Sequence, residues 1–330
     1  MRFKSQRDDR EIRIHERLGI ERISRSESHW QTYNSSAPYD SEVRSLQSLR
    51  TQANFGIGAL MLISIGHVTR YAYATPALYS IHTLRLTPPP FEGQRVLSWR
   101  VEMPDIDSAV RFRDAFGNMT HLVSIPRTHS EIAIIARGTV ETHDKAGFVR
   151  GLTEVAPTRV FKRETERTAP DDAIRELTAD LKAPDAIDRL HELMAVVGER
   201  VKYVVGATNA STTAAEALKA GRGVCQDHAH VFISAARLMG VPARYVSGYF
   251  VTGGESTSEA QHAWAEAFIE GLGWLGFDPA NQVCPTDRYV RLACGLDATS
   301  AAPITGNRRG GIDEVLDVFV EVQQQSSAQQ

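Results

Sequence analysis

The chain contains few cysteines. Three occur among its 330 residues, Cys225, Cys284 and Cys294. So few cysteines in a chain of this length cannot form a disulfide framework, and they are typical of a reducing compartment. The longest apolar run, residues 56–65, is far shorter than the roughly 20 residues that cross a bilayer, and it lies too deep in the chain for a usual secretory signal. We therefore expect a cytoplasmic protein with no membrane partner.

An excess of charge of either sign is also missing. The chain has 37 Lys and Arg against 40 Asp and Glu, which gives a formal net charge of -3. This balance does not provide the basic surface that a nucleic-acid partner requires. With 42% hydrophobic residues, the composition is that of a globular protein long enough for two domains. It specifies no oligomeric state.

Both ends of the chain lack a sustained apolar pattern. Residues 1–60 are rich in Arg, Asp, Glu and Ser and cannot bury enough apolar surface to offset their ordering entropy. We predict a poorly ordered extension, with Met61 as a candidate for the true start. Peptides from residues 1–60 in the native protein would contradict that start. The Gln- and Ser-rich tail, residues 323–330, is predicted to be disordered.

Short strands are predicted over residues 61–150. Between Leu97 and Met103 apolar and polar residues alternate, which is the pattern of a half-buried strand. A turn is predicted at residues 114–118, and further strands at residues 132–135 and 138–142. This region is predicted to be an antiparallel β-sandwich or a small barrel.

Helices open the second domain, residues 151–322, and strands close it. Pro170 and the acids that follow it are typical of a helix start. A helical stripe of apolar residues then runs from Ile187 to Val201. Strands are predicted at residues 243–250, 263–269, 274–277 and 316–322. The fold class is therefore α+β.

Cys225 is predicted to lie in the first turn of an amphipathic helix, because apolar residues follow it at spacings of three and four. Free N–H groups and the helix dipole at that position favour the reactive thiolate. Gly221 and Gly223 allow a tight entry into the helix and a close approach of substrate. The alternative is a buried, inert cysteine.

His262 and Asp278 supply the partners that such a thiolate needs. His262 begins an alternating segment, so its imidazole projects from one face of a strand. Asp278 ends the next strand, and the turn at residues 271–273 would bring both side chains to the same end of a hairpin. An aspartate that accepts from one ring nitrogen leaves the other nitrogen for the thiol.

A zinc site is the competing interpretation of Cys225, His228 and His230. These residues form a Cys-x-x-His-x-His pattern. However, the two histidines point to different faces of a helix, whereas ligands on one face are spaced by three or four. A zinc-binding module therefore remains the weaker alternative.

These segments resemble the transglutaminase-like superfamily, in the bacterial branch in which a β-domain precedes the transglutaminase core. The resemblance covers nearly all of residues 61–322. Its motifs are His67-Val-Thr-Arg-Tyr71, Leu84-Arg-Leu86-Thr-Pro88, Asp114-Ala-Phe-Gly-Asn118, Ala207-Thr208, Gly223-Val-Cys-Gln-Asp227, Pro242-Ala-Arg-Tyr-Val-Ser-Gly-Tyr249, His262-Ala-Trp264 and Asp278-Pro279. Ala280-Asn-Gln282 and Gln261 depart from the residues usual in the family, and they bear on the detail of the pocket.

The resemblance implies a papain-like core with Cys225 as nucleophile, His262 as base and Asp278 as the group that orients the base. It implies one oxyanion donor, the N–H of Cys225, and leaves the second unassigned. The expected reaction is thiol-dependent acyl transfer from a peptide or carboxamide carbonyl of a peptide or protein substrate, by a peptidase, transamidase or deamidase. No cofactor and no calcium are implied. The alternative is a catalytically silent scaffold that binds a protein partner.

Overall fold

The structure is a computed structural model that describes residues 60–251 and 261–325. The expectations for the first 59 residues, including the candidate start, and for residues 326–330 fall outside these ranges. Four helices are described: α1 Asp172–Ala179, α2 Ala186–Arg200, α3 Ala214–Ala220 and α4 Cys225–Leu238. The strands are β1 Leu60–Leu84, β2 Gln94–Glu102, β3 Val110–Arg113, β4 Met119–Ile125, β5 His129–His143, β6 Phe148–Val149, β7 Lys202–Tyr203, β8 Arg222–Gly223, β9 Ala243–Phe250, β10 Gln261–Ile269, β11 Gly273–Phe277, β12 Tyr289–Gly295, β13 Ile304–Gly310 and β14 Glu314–Gln325.

The first sheet is built around one long strand. Strand β1 has 25 residues, and the order of its sheet is β2-β5-β1-β4-β3, with β13 and β14 also paired to β1. The first half of β1 pairs with β5 and β14, and the second half pairs with β4 and β13, all antiparallel. Alternate residues of the first half, including Ile63 and Ile65, are buried. The predicted antiparallel β-domain is therefore present, and both ends of the described chain contribute to it.

The sheets divide the chain differently from the sequence-based division. Residues 151–322 are predicted to form the core. However, β13, which lies within that range, and β14, which extends beyond it, both join the first sheet. In the opposite sense, β6 falls before residue 150 and pairs with β11 in the second sheet. The alternation between Leu316 and Val322 predicts a strand correctly but does not encode its partner. Residues 323–325, expected in the tail, continue β14.

The second sheet has the order β12-β9-β10-β11-β6 and packs against the helices. Helix α4 lies on this sheet, and its residues Ala229, Phe232, Ile233 and Ala236 are fully buried. They share one apolar core with residues of α1, α2, α3, β9, β10 and β11. Within the described residues, no helix is long and apolar enough to span a membrane.

An apolar layer joins the two sheets. Tyr249 of β9, Val251 directly after it, and Val290 and Leu292 of β12 belong to the same core cluster as the inward side chains of the first sheet. Polar contacts fix the register of this layer. The Gln94 amide donates to the carbonyl of Arg291 at 2.9 Å, and the N–H of Arg291 donates to the Gln94 carbonyl oxygen at 2.7 Å. The second sheet is therefore held in a defined position on the β-domain.

Candidate active site

Cys225 is the first residue of α4, as predicted, and its side chain is half-buried. The turn is closed by Asp227, whose Oδ2 accepts from the N–H of Val224 at 2.8 Å and from the Thr208 hydroxyl at 2.6 Å. A Cβ on Gly223 would lie 2.6 Å from the Cβ of Asp227. Glycine at this position is therefore required for the aspartate to reach back to the helix start.

His262 and Asp278 meet at one end of the predicted hairpin. Strands β10 and β11 are antiparallel, with Ala265 opposite Phe277. The Nε2 of His262 lies 2.6 Å from the Oδ2 of Asp278. Asp278 is fully buried, and His262 is 8% exposed. Since Nε2 faces the carboxylate, Nδ1 is the ring nitrogen left for the thiol.

Several donors converge on the Asp278 carboxylate. Its Oδ2 accepts from the Tyr289 hydroxyl at 2.7 Å and from the Asn281 side-chain amide at 2.8 Å. Its Oδ1 accepts from the backbone N–H groups of Ala280 and Asn281. Burial raises the pKa of Asp278, but the hydrogen bonds, led by that with His262, outweigh it and hold the pKa below its usual value. Asp278 is therefore a buried carboxylate.

The imidazole of His262 is held in its charged form. Burial lowers the pKa of His262, but hydrogen bonds with Asp278 and with Cys225, together with the charges of both groups, raise it to about 10. Around neutral pH the arrangement thus favours an imidazolium between a carboxylate and a sulfur. This charge distribution suits a thiolate nucleophile, which reacts where a thiol does not.

Aromatic side chains enclose the imidazole. The rings of Phe250, Trp264 and Tyr289 have centroids 5.5, 6.3 and 6.0 Å from that of His262. These rings limit the access of water to the His262–Asp278 hydrogen bond and restrict rotation of the imidazole. Neither Tyr289 nor Asn281 was assigned a role from the sequence. Asn281 lies within the noted Asp278 motif, whereas Tyr289 is on another strand and carries no local signal.

A cleft of about 510 Å³ opens beside the thiol. Among the described residues that line it, the only ionisable groups are Cys225, His262 and the phenol of Tyr245, and most of the lining side chains are small. The lining residues are Ala210, Val224, Cys225, Gln226, Tyr245, Ser247, Gln261, His262, Ala263, Ala298, Thr299, Ala301, Ala302 and Pro303.

The two histidines of the zinc interpretation are engaged elsewhere. The ring nitrogens of His228 lie 2.8 Å from the carbonyl oxygen of Val224 and 2.7 Å from that of Val201. The Nε2 of His230 accepts from the N–H of Ala298 at 3.0 Å. Across residues 60–251 and 261–325, no group of three or more His, Cys, Asp and Glu side chains is placed to hold a metal ion. The geometry gives the zinc interpretation no support.

Two family models match the chain. The core model of the transglutaminase-like superfamily matches residues 173–279, which include Cys225, His262 and Asp278. The model of the bacterial transglutaminase-like N-terminal region matches residues 63–141. The two matches fall on the helical and second-sheet part and on the first sheet, respectively.

Relatives align over most of their length. An uncharacterized protein of Mycobacterium leprae is 32% identical over 272 residues, which cover 78% of this chain and 96% of that relative. An uncharacterized protein of Mycobacterium tuberculosis is 28% identical over 290 residues, which cover 78% of this chain and 91% of that relative. The N-terminal region and the core therefore occur together in these relatives.

A solved structure shows the same fold. The crystal structure of a candidate cysteine protease from Cytophaga hutchinsonii superposes with a TM-score of 0.66 at 21% identity, and covers 82% of this chain and 93% of its own. At this identity the likeness concerns the fold alone. The periplasmic domain of TgpA from Pseudomonas aeruginosa has a TM-score of 0.33, too low to support an argument. This chain therefore belongs to the transglutaminase-like superfamily, in its bacterial branch with an N-terminal β-domain, as both family matches, the 32% identical relative and the shared fold indicate.

Proposed function

We propose that the protein is a cysteine enzyme that transfers acyl groups from peptide or carboxamide carbonyls. One observation carries the proposal. His262 lines one cleft with Cys225 and hydrogen-bonds with the buried Asp278, and these two groups raise the pKa of His262 to about 10. An inert buried cysteine has no need for a protonated histidine and a desolvated carboxylate beside it. Perturbed groups that share one cleft are typical of catalytic sites.

The reaction follows from these positions. The Cys225 thiolate attacks the carbonyl carbon, and a carbon–sulfur bond forms as the carbonyl oxygen takes the electron pair. His262 then gives its proton to the leaving nitrogen, the carbon–nitrogen bond breaks, and a thioester remains. Neutral His262 next takes a proton from water or an amine, which attacks the thioester and releases the thiolate. Asp278 keeps the imidazole oriented throughout.

The surroundings of the thiol support a peptide or protein substrate. The cleft is open to solvent, and apart from Cys225 and His262 the described residues that line it carry no charged side chain, so an extended chain can bind without the cost of burying a further charge. Water as the acceptor gives a peptidase or deamidase, and an amine gives a transamidase. Every proton transfer in the scheme uses side chains of this chain.

Alkylation of the three cysteines tests the proposal. We expect iodoacetamide to modify Cys225 faster than Cys284 at pH 6 and 7, because the protonated His262 lines the same cleft as the Cys225 sulfur. His262→Ala should slow this labelling. Cys284 is an internal control, since burial and the charge of Asp144 raise its pKa to about 11. Peptide mass spectrometry reports all three sites in one sample.

The outcome separates the enzyme from a silent scaffold. Labelling of Cys225 no faster than that of a free cysteine at every pH would reject the enzyme. Rapid labelling would next be followed by incubation with glutamine-containing peptides, with and without an added amine. Loss of ammonia or cleavage by wild type but not by Cys225→Ala would identify the acyl transfer.

A further inference from the structure

The cleft is lined by a tyrosine whose hydroxyl binds no group of the described residues. Tyr245 of β9 lines the cleft together with Cys225 and His262 and is 4% exposed. Within the described residues its hydroxyl makes no hydrogen bond, whereas neighbouring Ser247 donates to the carbonyl of Ala301 at 2.8 Å. A hydroxyl that lines a cleft and has no protein partner is free to donate a hydrogen bond to a ligand.

The tyrosine is fixed in place and remains a donor. Its ring packs against that of His230, with centroids 5.2 Å apart. Burial raises the pKa of Tyr245 well above its ordinary value, and the negative charges of Cys225, Asp227 and Asp297 raise it further. The phenol therefore keeps its proton through the neutral pH range, and its orientation is set before any ligand binds.

Tyr245 and Cys225 line the same cleft. Among the charges that act on Tyr245, that of Cys225 has the largest effect, yet no hydrogen bond joins the two side chains within the described residues. His262, in contrast, hydrogen-bonds with Cys225. A ligand atom next to the sulfur can therefore accept a hydrogen bond from the phenol. The thiolate itself accepts no hydrogen bond from the phenol and keeps its reactivity.

We propose that the Tyr245 hydroxyl is the second donor of the oxyanion hole and acts with the backbone N–H of Cys225. This inference rests on the proposed function. The N–H of Cys225 is free because it belongs to the first turn of α4. When the thiolate attacks, negative charge develops on the carbonyl oxygen, and both donors stabilise it. Collapse to the thioester returns the electron pair to carbon, and Tyr245 keeps its proton.

Two reactions of the Cys225 sulfur separate the role of Tyr245 as an oxyanion donor from other effects of the residue. Iodoacetamide alkylates Cys225 by direct displacement and forms no oxyanion, whereas p-nitrophenyl acetate acylates it through a tetrahedral intermediate. For Tyr245→Phe we expect acylation to slow by roughly 10² to 10³, as for loss of one oxyanion-hole donor, with alkylation unchanged. The melting temperature should not fall, because the hydroxyl has no partner to lose in the free protein.

Tyr249→Phe is the matched control. Tyr249 is fully buried on the same strand, but its hydroxyl bonds to His67 at 2.9 Å and it does not line the cleft. We expect this variant to keep both rates. If Tyr245→Phe slows both reactions equally, or slows neither, the inference is wrong and the proposed function stands. If wild type is alkylated at Cys225 but never acylated, the proposed acyl transfer itself fails.

Discussion

Asp278 sets the charge state of its neighbours through five hydrogen bonds, from His262, Tyr289, two groups of Asn281 and Ala280. A carboxylate that accepts so many hydrogen bonds stays ionised despite its burial. The negative charge in turn stabilises the imidazolium of His262. The protonation state on which the proposed chemistry depends is thus maintained by residues that never touch the sulfur.

The titration of His262 should depend on Cys225. The pKa of His262 is raised to about 10, in part by its hydrogen bond with Cys225 and by the charge of that residue. We expect Cys225→Ala to lower the pKa of His262, as measured by NMR of labelled imidazoles across pH. His67 is a control, because burial alone lowers its pKa to about 4, and it should not change. An unchanged His262 titration would contradict the Cys225–His262 interaction.

The same shift predicts how stability depends on pH. The folded-state pKa of His262, about 10, lies above the unfolded value of about 6.5. Protonation of His262 therefore contributes stability that is complete below the unfolded value and is lost as the pH rises through the folded value. When urea unfolding is measured across pH, this contribution to the free energy of unfolding should decline between neutral pH and pH 10. The decline should be smaller in Cys225→Ala.

Some site residues could be predicted from the sequence and others could not. Cys225, His262 and Asp278 each lie at the edge of a regular element, so periodicity and a turn are enough to bring His262 and Asp278 together. Tyr289 contacts Asp278 from a strand 11 residues further on. That contact depends on the position of β12 in the sheet, which local periodicity does not encode.

At the scale of the element, a glycine in β5 makes one strand look like two in the sequence. The sequence predicts strands at residues 132–135 and 138–142, whereas the structure has one continuous strand. Gly138 lies opposite Trp99 on β2. A Cβ at Gly138 would lie 2.1 Å from the carbonyl oxygen of Ser98 and 2.7 Å from the Trp99 ring. This glycine therefore allows two strands to approach closely and does not end a strand.

Two glycines of the first sheet should respond differently to alanine. Gly138→Ala forces β2 away from β5, and we expect a loss of about 1–3 kcal/mol in the free energy of unfolding, as for overpacking in a core. A Cβ on Gly66 of β1 would meet nothing within 4 Å. Gly66→Ala should therefore leave stability unchanged or raise it slightly. Urea denaturation of both variants measures the difference, and equal losses would contradict the close approach at Gly138.

At the scale of the whole molecule, the β-domain and the core depend on each other. A buried ion cluster lies near their contact, where Glu266 of β10 pairs with Arg244 and Arg291. The backbone N–H and carbonyl of Arg291 also hydrogen-bond with the side-chain amide of Gln94 in the first sheet. The order of strands and helices could be predicted from local patterns. The sharing of strands between the two parts could not, because it depends on pairing between distant residues.

The core should therefore not fold alone. A fragment that covers only residues 151–325 would expose Tyr249, Val251, Val290 and Leu292, which pack on the first sheet. We expect this fragment to be insoluble or to unfold without cooperativity, whereas residues 60–325 should fold. Circular dichroism and thermal melting of the two proteins check this. A fragment that folds and in which Cys225 reacts rapidly with iodoacetamide would show that the core is autonomous.

The pairing of β14 with β1 also has a consequence for biosynthesis. Cys225, His262 and Asp278 are all synthesised before β14, because they precede it in the chain. Until then the first sheet lacks one side of its longest strand, together with Val320 and Val322 of the layer beneath the second sheet. The first sheet is therefore complete only after translation has passed residue 325.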